Sequence, residues 1–170
     1  MRTSRFILVA FVLSGALAAC PTLALAKTPV TVGIGNQDPS MFDSPGFQSL
    51  GIQQVRYFIH WNAIRDPTQL QLADEFIDRA QRSGREVFLH VSTEDLRIKK
   101  GTLPSYTLYR RYVGRLIRRM RGMWGIRTWG AWNEANHASE PTYRAPRRAA
   151  SYFKAMYREC KGCTIVALDI

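Results

Sequence analysis

Hydrophobic residues follow two periods along this chain, and the two periods alternate from about residue 31 onwards. Five short runs are rich in β-branched and aromatic residues, a composition that favours strands. These runs are 31–35, 54–59, 86–91, 127–132 and 164–168. Between them, apolar residues recur every three or four positions, which is the spacing of a helix with one buried face. The pattern predicts a regular alternation of strands and helices.

Start and stop signals bound the predicted helices. Asp66-Pro67 is a helix start, with the carboxylate as cap and proline at the first helical position, and Gly84 ends that helix. The next helix is expected over about 104–121, and a third begins near Pro146 and ends before Gly162. A brief helical turn is expected near 47–50.

Alternating strands and helices imply right-handed crossovers and a parallel sheet covered by helices. Two architectures fit this order of elements: a (β/α)8 TIM-barrel-like fold and a five-stranded doubly wound parallel sheet. A complete (β/α)8 barrel takes about 250 residues, and this chain has 170. A barrel is therefore expected to be truncated after about strand five, with residues 27–170 as its N-terminal part.

The first 26 residues have the features of a signal peptide. Arg2 and Arg5 precede the apolar run 6–17, and Ala24-Leu25-Ala26 supplies small residues where a signal peptidase cleaves. The sequence predicts secretion or a cell-envelope location. A competing interpretation takes 17–20 as a lipobox, which would make Cys20 a lipid anchor. No later apolar run reaches the roughly 20 residues of a membrane span, so we expect no transmembrane segment.

Positive charge is concentrated in one stretch of a basic chain. The formal net charge is +11, and residues 96–121 carry nine basic residues and no acid. They are Arg97, Lys99, Lys100, Arg110, Arg111, Arg115, Arg118, Arg119 and Arg121. This stretch is either a surface for an anionic polymer or lipid headgroups, or a solvated helix face. Export and the lack of interleaved aromatic residues argue against nucleic acid as a partner.

Two cysteines remain outside the leader, in the sequence Cys160-Lys161-Gly162-Cys163. The pair closes a predicted helix and enters a strand, whereas a thioredoxin-type pair opens a helix after a strand. A zinc site needs about four ligands, and we expect no metal. In an oxidising compartment a short-loop disulfide is favoured; two buried thiols are the alternative.

Polar and aromatic side chains gather at the carboxyl ends of the predicted strands, where ligands bind in parallel β/α folds. Carboxylates and amides can hydrogen-bond sugar hydroxyls, and aromatic faces can cover the apolar side of a pyranose. The residues concerned are Asn36, Gln37, Asp38, His60, Trp61, Asn62, Ser92, Thr93, Glu94, Asp95, Trp132, Asn133, Glu134, Asn136, His137 and Asp169, with His90 near the end of its strand. The sequence predicts a carbohydrate site at this edge.

The segment 129–137, Trp-Gly-Ala-Trp-Asn-Glu-Ala-Asn-His, is the most specific in the chain. It resembles the strand-four signature Trp-Asn-Glu-Pro-Asn of the clan A glycoside hydrolases, with Ala135 in place of the proline. Val55-Arg56 on the second strand and the Cys-x-x-Cys before the fifth also resemble secreted, cellulase-like bacterial members of the clan. In these enzymes the glutamate of the signature is the general acid/base.

The resemblance implies hydrolysis of O-glycosidic bonds in poly- or oligosaccharides by a retaining mechanism, without a cofactor. Glu134 would be the acid/base, desolvated by packing beside Trp132, and Asn133 would orient the sugar 2-hydroxyl. Arg56, His90 and Trp132 would be substrate-binding residues, to which the rim residues Trp61 and His137 are added. We expect a monomer whose partner is a carbohydrate substrate.

A retaining mechanism needs a second carboxylate about 5 Å from the first, and in the clan it stands on strand seven. None of Glu94, Asp95 and Asp169 takes that role by resemblance, so we expect negligible hydrolysis from the 170-residue chain alone. Two further interpretations stay open. One is a non-catalytic carbohydrate-binding remnant, and the other is an anion-binding cell-envelope protein that uses the Arg-rich helix 104–121.

The leader interpretation predicts the N-terminus of the exported protein. Mass spectrometry of secreted material should find Lys27 as the first residue, because cleavage after Ala26 follows the small-residue site. A diacylated N-terminal Cys20 would show instead that the lipid-anchor interpretation is correct.

Overall fold

The structure is a computed structural model that describes residues 31–93 and 103–167. The predicted leader with Cys20, and the rim carboxylates Glu94, Asp95 and Asp169, lie outside the described residues. The strands are β1 (Gly33–Gly35), β2 (Gln54–His60), β3 (Glu86–Ser92), β4 (Thr128–Gly130) and β5 (Thr164–Val166). The helices are α1 (Pro45–Ser49), α2 (Pro67–Arg82), α3 (Tyr106–Trp124) and α4 (Pro146–Glu159), with short 3₁₀ turns at Pro39–Asp43 and Ala63–Arg65.

The five strands form one parallel sheet in the order β1-β2-β3-β4-β5. A doubly wound sheet reverses its strand order at a switch point, and this sheet does not. The doubly wound alternative is therefore wrong, and the barrel-like prediction is confirmed. Strand β4 is shorter than the predicted 127–132, because the chain leaves regular pairing after Gly130 and enters a series of bends and turns.

The two faces of the sheet have different surroundings. Val55, Tyr57 and Ile59 of β2 are buried, and the Tyr57 ring lies 4.7 Å from the ring of Phe76 on α2. The intervening residues of β2 are only half-buried on the opposite face. The sheet thus presents an apolar face to the helices and a mixed face to the side that forms the interior of a barrel.

Local signals set the helix ends. The Asp66 side chain accepts hydrogen bonds from the backbone N–H groups of Thr68 and Gln69, so it caps α2 as predicted. Helix α3 starts after Ser105, whose hydroxyl accepts from the N–H of Leu108, and runs to Trp124 before Gly125 with φ of 67°. The prediction ended this helix at about 121, one turn too early.

The longer end of α3 is held by a charged contact with α2. Arg119 donates to both carboxylate oxygens of Asp74, at 2.7 and 2.6 Å, and the indole N–H of Trp124 donates to the same carboxylate at 2.8 Å. Burial by itself would raise the pKa of Asp74, but the hydrogen bonds from Arg119 and Trp124 and the charge of Arg119 outweigh it and lower the pKa. Arg119 is therefore not a free charge on the solvent face of α3.

A disulfide joins Cys160, at the end of α4, to Cys163, just before β5. The Cα atoms are 5.5 Å apart, within the usual range for a bridge.

No helix in the described ranges is long and apolar enough to cross a membrane. Over the same ranges, no cluster of His, Cys, Asp and Glu side chains has the arrangement of a metal site.

The Asp74 contact predicts an acid-dependent loss of stability. Asp74→Asn should lower the free energy of unfolding by about 1–2 kcal/mol near neutral pH, because charge-assisted hydrogen bonds are lost. A carboxyl whose folded pKa is depressed stabilises above its unfolded pKa, and the effect disappears as pH falls through the folded value. The difference between wild type and variant should therefore shrink below the ordinary pKa of 3.8.

The matched control is Asp78→Asn, one turn away on α2, whose carboxylate pairs with the exposed Arg82 at 3.0 Å. Urea denaturation at several pH values should give this variant a change of about 0.5 kcal/mol or less. Equal effects of the two substitutions, or a difference that does not vary with pH, would contradict the assignment.

Candidate active site

The polar loop between β4 and α4 is a chain of successive turns rather than an open coil. The backbone N–H of His137 donates to the carbonyl of Glu134 at 2.8 Å, that of Glu140 to His137 at 2.9 Å, and that of Tyr143 to Glu140 at 3.0 Å. Each turn starts where the previous one ends. The first of them begins at Glu134, in the loop that leaves the carboxyl end of β4 at Gly130.

Glu134 has an unusual backbone conformation for its residue type. Its φ is 41°, and it is the one non-glycine residue with a positive φ in the part of the chain that the structure describes. The left-handed conformation costs an L-residue about 1–2 kcal/mol. Residues held this way concentrate at functional sites, where the surrounding structure enforces them. The side chain is exposed.

Asn133, the neighbour of Glu134, is tied to the sheet through its backbone. Its N–H donates to the carbonyl of Val91 on β3 at 3.0 Å. Its side-chain oxygen is buried and accepts no hydrogen bond from any residue that the structure describes. A buried amide oxygen usually has a donor, so this oxygen can accept a hydrogen bond from a ligand hydroxyl.

Trp132 lies elsewhere than the sequence interpretation placed it. Its side chain is completely buried, with its ring 5.0 Å from Tyr152 of α4 and 6.4 Å from Tyr109 of α3. Its indole N–H donates to the buried carboxylate of Glu140 at 3.0 Å. The expectation that Trp132 lines a substrate pocket and desolvates Glu134 is therefore corrected. The turn after Gly130 directs the indole into the helix layer, where it buries far more apolar surface than at an open rim.

Three residues that the sequence analysis did not single out support this loop. The Tyr109 hydroxyl donates to the carbonyl of Ala131 at 2.5 Å, and the Tyr152 hydroxyl donates to that of Pro104 at 2.6 Å. Burial raises the pKa of both tyrosines, so both remain neutral hydrogen-bond donors. Glu140 is the third, and it follows no periodic pattern that could have revealed it.

Arg56 and His90 lie on the barrel-interior face of the sheet, joined by aromatic rings. The Arg56 guanidinium is 4.6 Å from the ring centroid of Phe58, which in turn lies 5.7 Å from that of His90. The ring of Phe88 lies 5.1 Å from His90 on another side. His90 is fully buried in this stack. The structure thus brings two of the predicted site residues together on one face.

Gly130 makes room for that stack. A Cβ atom at Gly130 would come within 2.2 Å of Cδ2 of His90, far closer than two non-bonded carbon atoms can approach. Gly130 is opposite His90 in the β3–β4 register. A glycine here is therefore required by the imidazole that lies across the neighbouring strand.

Trp61 and His137 occupy different surroundings. The Trp61 ring stacks on Tyr112 of α3, with centroids 5.7 Å apart and planes 11° apart, so it is half-buried against a helix. His137 is exposed in the turn after Glu134, where its Nδ1 accepts from the backbone N–H of Ser139 at 3.2 Å. The same Nδ1 lies 2.6 Å from the hydroxyl oxygen of Ser139.

The side-chain amide of Gln37, which follows β1, hydrogen-bonds to the backbone of the neighbouring strand β2. The Gln37 side chain donates to the carbonyl of Phe58 at 2.9 Å and accepts from the N–H of Phe58 at 2.7 Å. It acts as an added rung of the ladder between β1 and β2. This amide is therefore occupied, in contrast to the oxygen of Asn133.

Comparison with known proteins gives a likeness in structure only. No family model matches the sequence, and no curated protein matches it. The Pseudomonas stutzeri endoglucanase Cel5A in complex with cellobiose superposes with a TM-score of 0.56 at 19% identity, over 75% of this chain and 40% of that chain. A family 1 β-glucosidase from Thermotoga maritima gives 0.51 at 18% identity, over 74% of this chain and 35% of that chain. The chain has the fold of part of a (β/α)8 barrel.

The structural likeness to these barrels agrees with the fold that the resemblance of segment 129–137 implied. This chain spans less than half the length of the barrels that it matches. In (β/α)8 barrels the site lies at the carboxyl ends of the strands, and Asn133 and Glu134 follow β4 at that end. The barrel fold therefore agrees with the position of the candidate acid/base.

The close approach at Gly130 predicts the effect of adding one methyl group. Gly130→Ala should destabilise the protein by about 1–3 kcal/mol, because the new Cβ overlaps the trapped ring of His90. Gly122→Ala is the control, since a Cβ at that position in α3 meets nothing within 4 Å.

The control should be neutral or stabilising by up to about 1 kcal/mol, as alanine is the better helix former. Both values come from chemical denaturation of the 170-residue chain. A Gly130→Ala variant as stable as the control would show that His90 moves aside freely.

Proposed function

We propose that this chain carries the acid/base half of a retaining glycoside hydrolase site, with Glu134 as the proton-transferring residue. The observation that carries the proposal is the left-handed backbone of Glu134, with φ of 41°. Glycine would adopt this conformation without strain. A carboxylate that is kept there at a cost in stability is best explained by what its side chain does.

Asn133 supports the same proposal from the adjacent position. Its backbone is fixed by the bond to Val91 at 3.0 Å, and its buried side-chain oxygen finds no donor in the described part of the chain. A sugar hydroxyl would supply the missing donor. Because the two residues are consecutive, a hydroxyl bound by Asn133 would hold the neighbouring glycosidic bond close to the Glu134 carboxyl group.

The barrel-interior face would supply the floor of such a site. The aromatic rings of Phe58 and Phe88 and the imidazole of His90 form a stack, with the Arg56 guanidinium 4.6 Å from Phe58. In this proposal the half-buried Arg56 binds the sugar from below, and the fully buried His90 orients it through the stacked rings. Trp132 has a different role, because its buried indole fixes the turn that carries Asn133 and Glu134.

The reaction follows the two-step scheme of retaining glycosidases. The protonated Glu134 carboxyl donates its proton to the glycosidic oxygen as that oxygen leaves C1, while a second carboxylate attacks C1 and forms a glycosyl-enzyme ester. The Glu134 carboxylate then takes a proton from water, whose oxygen attacks C1 and releases the second carboxylate. The second carboxylate is not assigned to any residue named here.

The predicted signal peptide completes the proposal. An exported hydrolase, secreted or held at the cell envelope, would act on poly- or oligosaccharides outside the cytoplasm. The resemblance of segment 129–137 to the clan A signature and the likeness in fold support bonds between sugars as the linkage that this site would hydrolyse.

A substitution at Glu134 tests the acid/base role. In a polypeptide that carries this segment within a complete barrel, Glu134→Gln should lower kcat on unactivated oligosaccharides by about 10²–10⁴ and leave KM little changed. The loss should be much smaller in the first step for aryl glycosides with acidic phenol leaving groups, which depart without a proton. Steady-state and burst kinetics on both substrate types measure this difference.

The control variant is Glu75→Gln, which removes an exposed carboxylate from α2 and should leave both rates unchanged. Glu134→Gly, measured in the 170-residue chain, should raise the free energy of unfolding by up to about 1 kcal/mol through relief of strain. Full turnover of unactivated substrates by Glu134→Gln would overturn the proposal. Oligosaccharide binding without any turnover in the complete barrel would favour a carbohydrate-binding role instead.

A further inference from the structure

The two described parts of the chain differ sharply in charge. Residues 31–93 contain five basic and seven acidic residues, whereas residues 103–167 contain thirteen basic and three acidic residues. Most of the positive charge thus belongs to α3, α4 and their flanking loops. Long-range attraction of anions follows from such an asymmetry, but a binding site needs a defined place.

A cleft between α3 and α4 offers a defined site for an anion. It has a volume of about 380 Å³ and is lined by Thr107, Arg110, Arg111, Arg115, Arg118 and Glu159. All four arginines are exposed. Arg111, Arg115 and Arg118 follow each other at steps of four and three residues, so they form one stripe with about 6 and 4.5 Å of rise between neighbours.

Glu159 of α4 organises two of these arginines. It accepts from Nε of Arg110 at 2.6 Å and from Nη1 of Arg118 at 3.2 Å. Its carboxylate lies against Gly114, where a Cβ atom would come within 2.8 Å of Oε2. The absence of a side chain at Gly114 therefore lets one carboxylate reach between two arginines that are two helical turns apart.

The cleft keeps an excess of positive charge after this pairing. Four guanidinium groups face one carboxylate, and Arg111 and Arg115 form no ion pair with any acid in the described ranges. Arg119 takes no part, because it pairs with Asp74 on the other side of α3. The stripe of guanidinium forks suits planar carboxylate groups, which arginine binds with two parallel hydrogen bonds.

We propose that the α3–α4 cleft binds a carboxylate-bearing polysaccharide at a site separate from the Glu134 site. Membrane-binding helices insert apolar side chains beside their basic residues, and the lining of this cleft has none. Binding of single-stranded nucleic acid needs aromatic platforms for the bases, and the lining lacks these as well. Carboxylates repeated along a sugar chain match guanidinium groups repeated along a helix.

The test measures binding of the 170-residue chain to polygalacturonate, with fully methyl-esterified polygalacturonate as the uncharged counterpart. Binding should require the free carboxylates and weaken as salt increases. The triple substitution Arg111→Gln, Arg115→Gln, Arg118→Gln should weaken it about tenfold, because several exposed ion pairs of modest strength are lost. Glu159→Gln should strengthen it about two- to threefold, because the carboxylate that competes for Arg110 and Arg118 becomes neutral.

Matched charge changes elsewhere separate a site from diffuse attraction. The triple substitution Arg82→Gln, Arg127→Gln, Arg144→Gln removes the same charge from exposed positions outside the cleft, and Glu75→Gln adds the same charge as Glu159→Gln. Both controls should change affinity less than twofold. Equal effects of cleft and control variants, or binding to phosphatidylglycerol vesicles without binding to polygalacturonate, would overturn the proposal. Hydrolytic activity does not enter this measurement, so its result is independent of Glu134.

Discussion

The burial of Trp132 between α3 and α4 is the contact on which the candidate site depends. Its ring packs on Tyr152 at 5.0 Å, and Glu140 accepts its indole N–H at 3.0 Å. Each large aromatic side chain buries about 150–250 Å², which at about 25 cal/mol per Å² stabilises by roughly 4–6 kcal/mol. This exceeds the roughly 1–2 kcal/mol of strain at Glu134, so packing can hold the turn in its unfavourable conformation.

The same packing explains how an exposed loop keeps a defined geometry. The Tyr109 hydroxyl holds the carbonyl of Ala131, and β3 holds the N–H of Asn133 through Val91. Buried groups thus fix the backbone on both sides of Trp132, while Glu134 itself is exposed. Precise positioning of a reacting group relies on such support from residues that never touch a ligand.

Different faces of helix α3 contact the apolar core, helix α2 and helix α4. One face carries Tyr109 and the apolar core, its last turns reach Asp74 of α2 through Arg119, and its outer stripe forms the basic cleft with α4. Arg119 and Arg118 are consecutive in sequence and yet pair with different helices. The half-buried Arg119 pairs with Asp74 of α2, whereas the exposed Arg118 shares the carboxylate of Glu159 on α4 with Arg110.

The sequence by itself determined the alternation of strands and helices, the start of α2 at Asp66 and its end before Gly84, and the place of Asn133 and Glu134 in the loop after the fourth strand. These follow from local periodicity and from residues with strong backbone preferences, which act within a few positions. Tertiary structure alone decided the strand order, the inward turn of Trp132, the left-handed backbone of Glu134 and the pairing of Glu159 with two arginines. Each of these depends on contacts between segments far apart in the chain. Local preference cannot specify such contacts, because the same residue types satisfy it whichever way the side chain points.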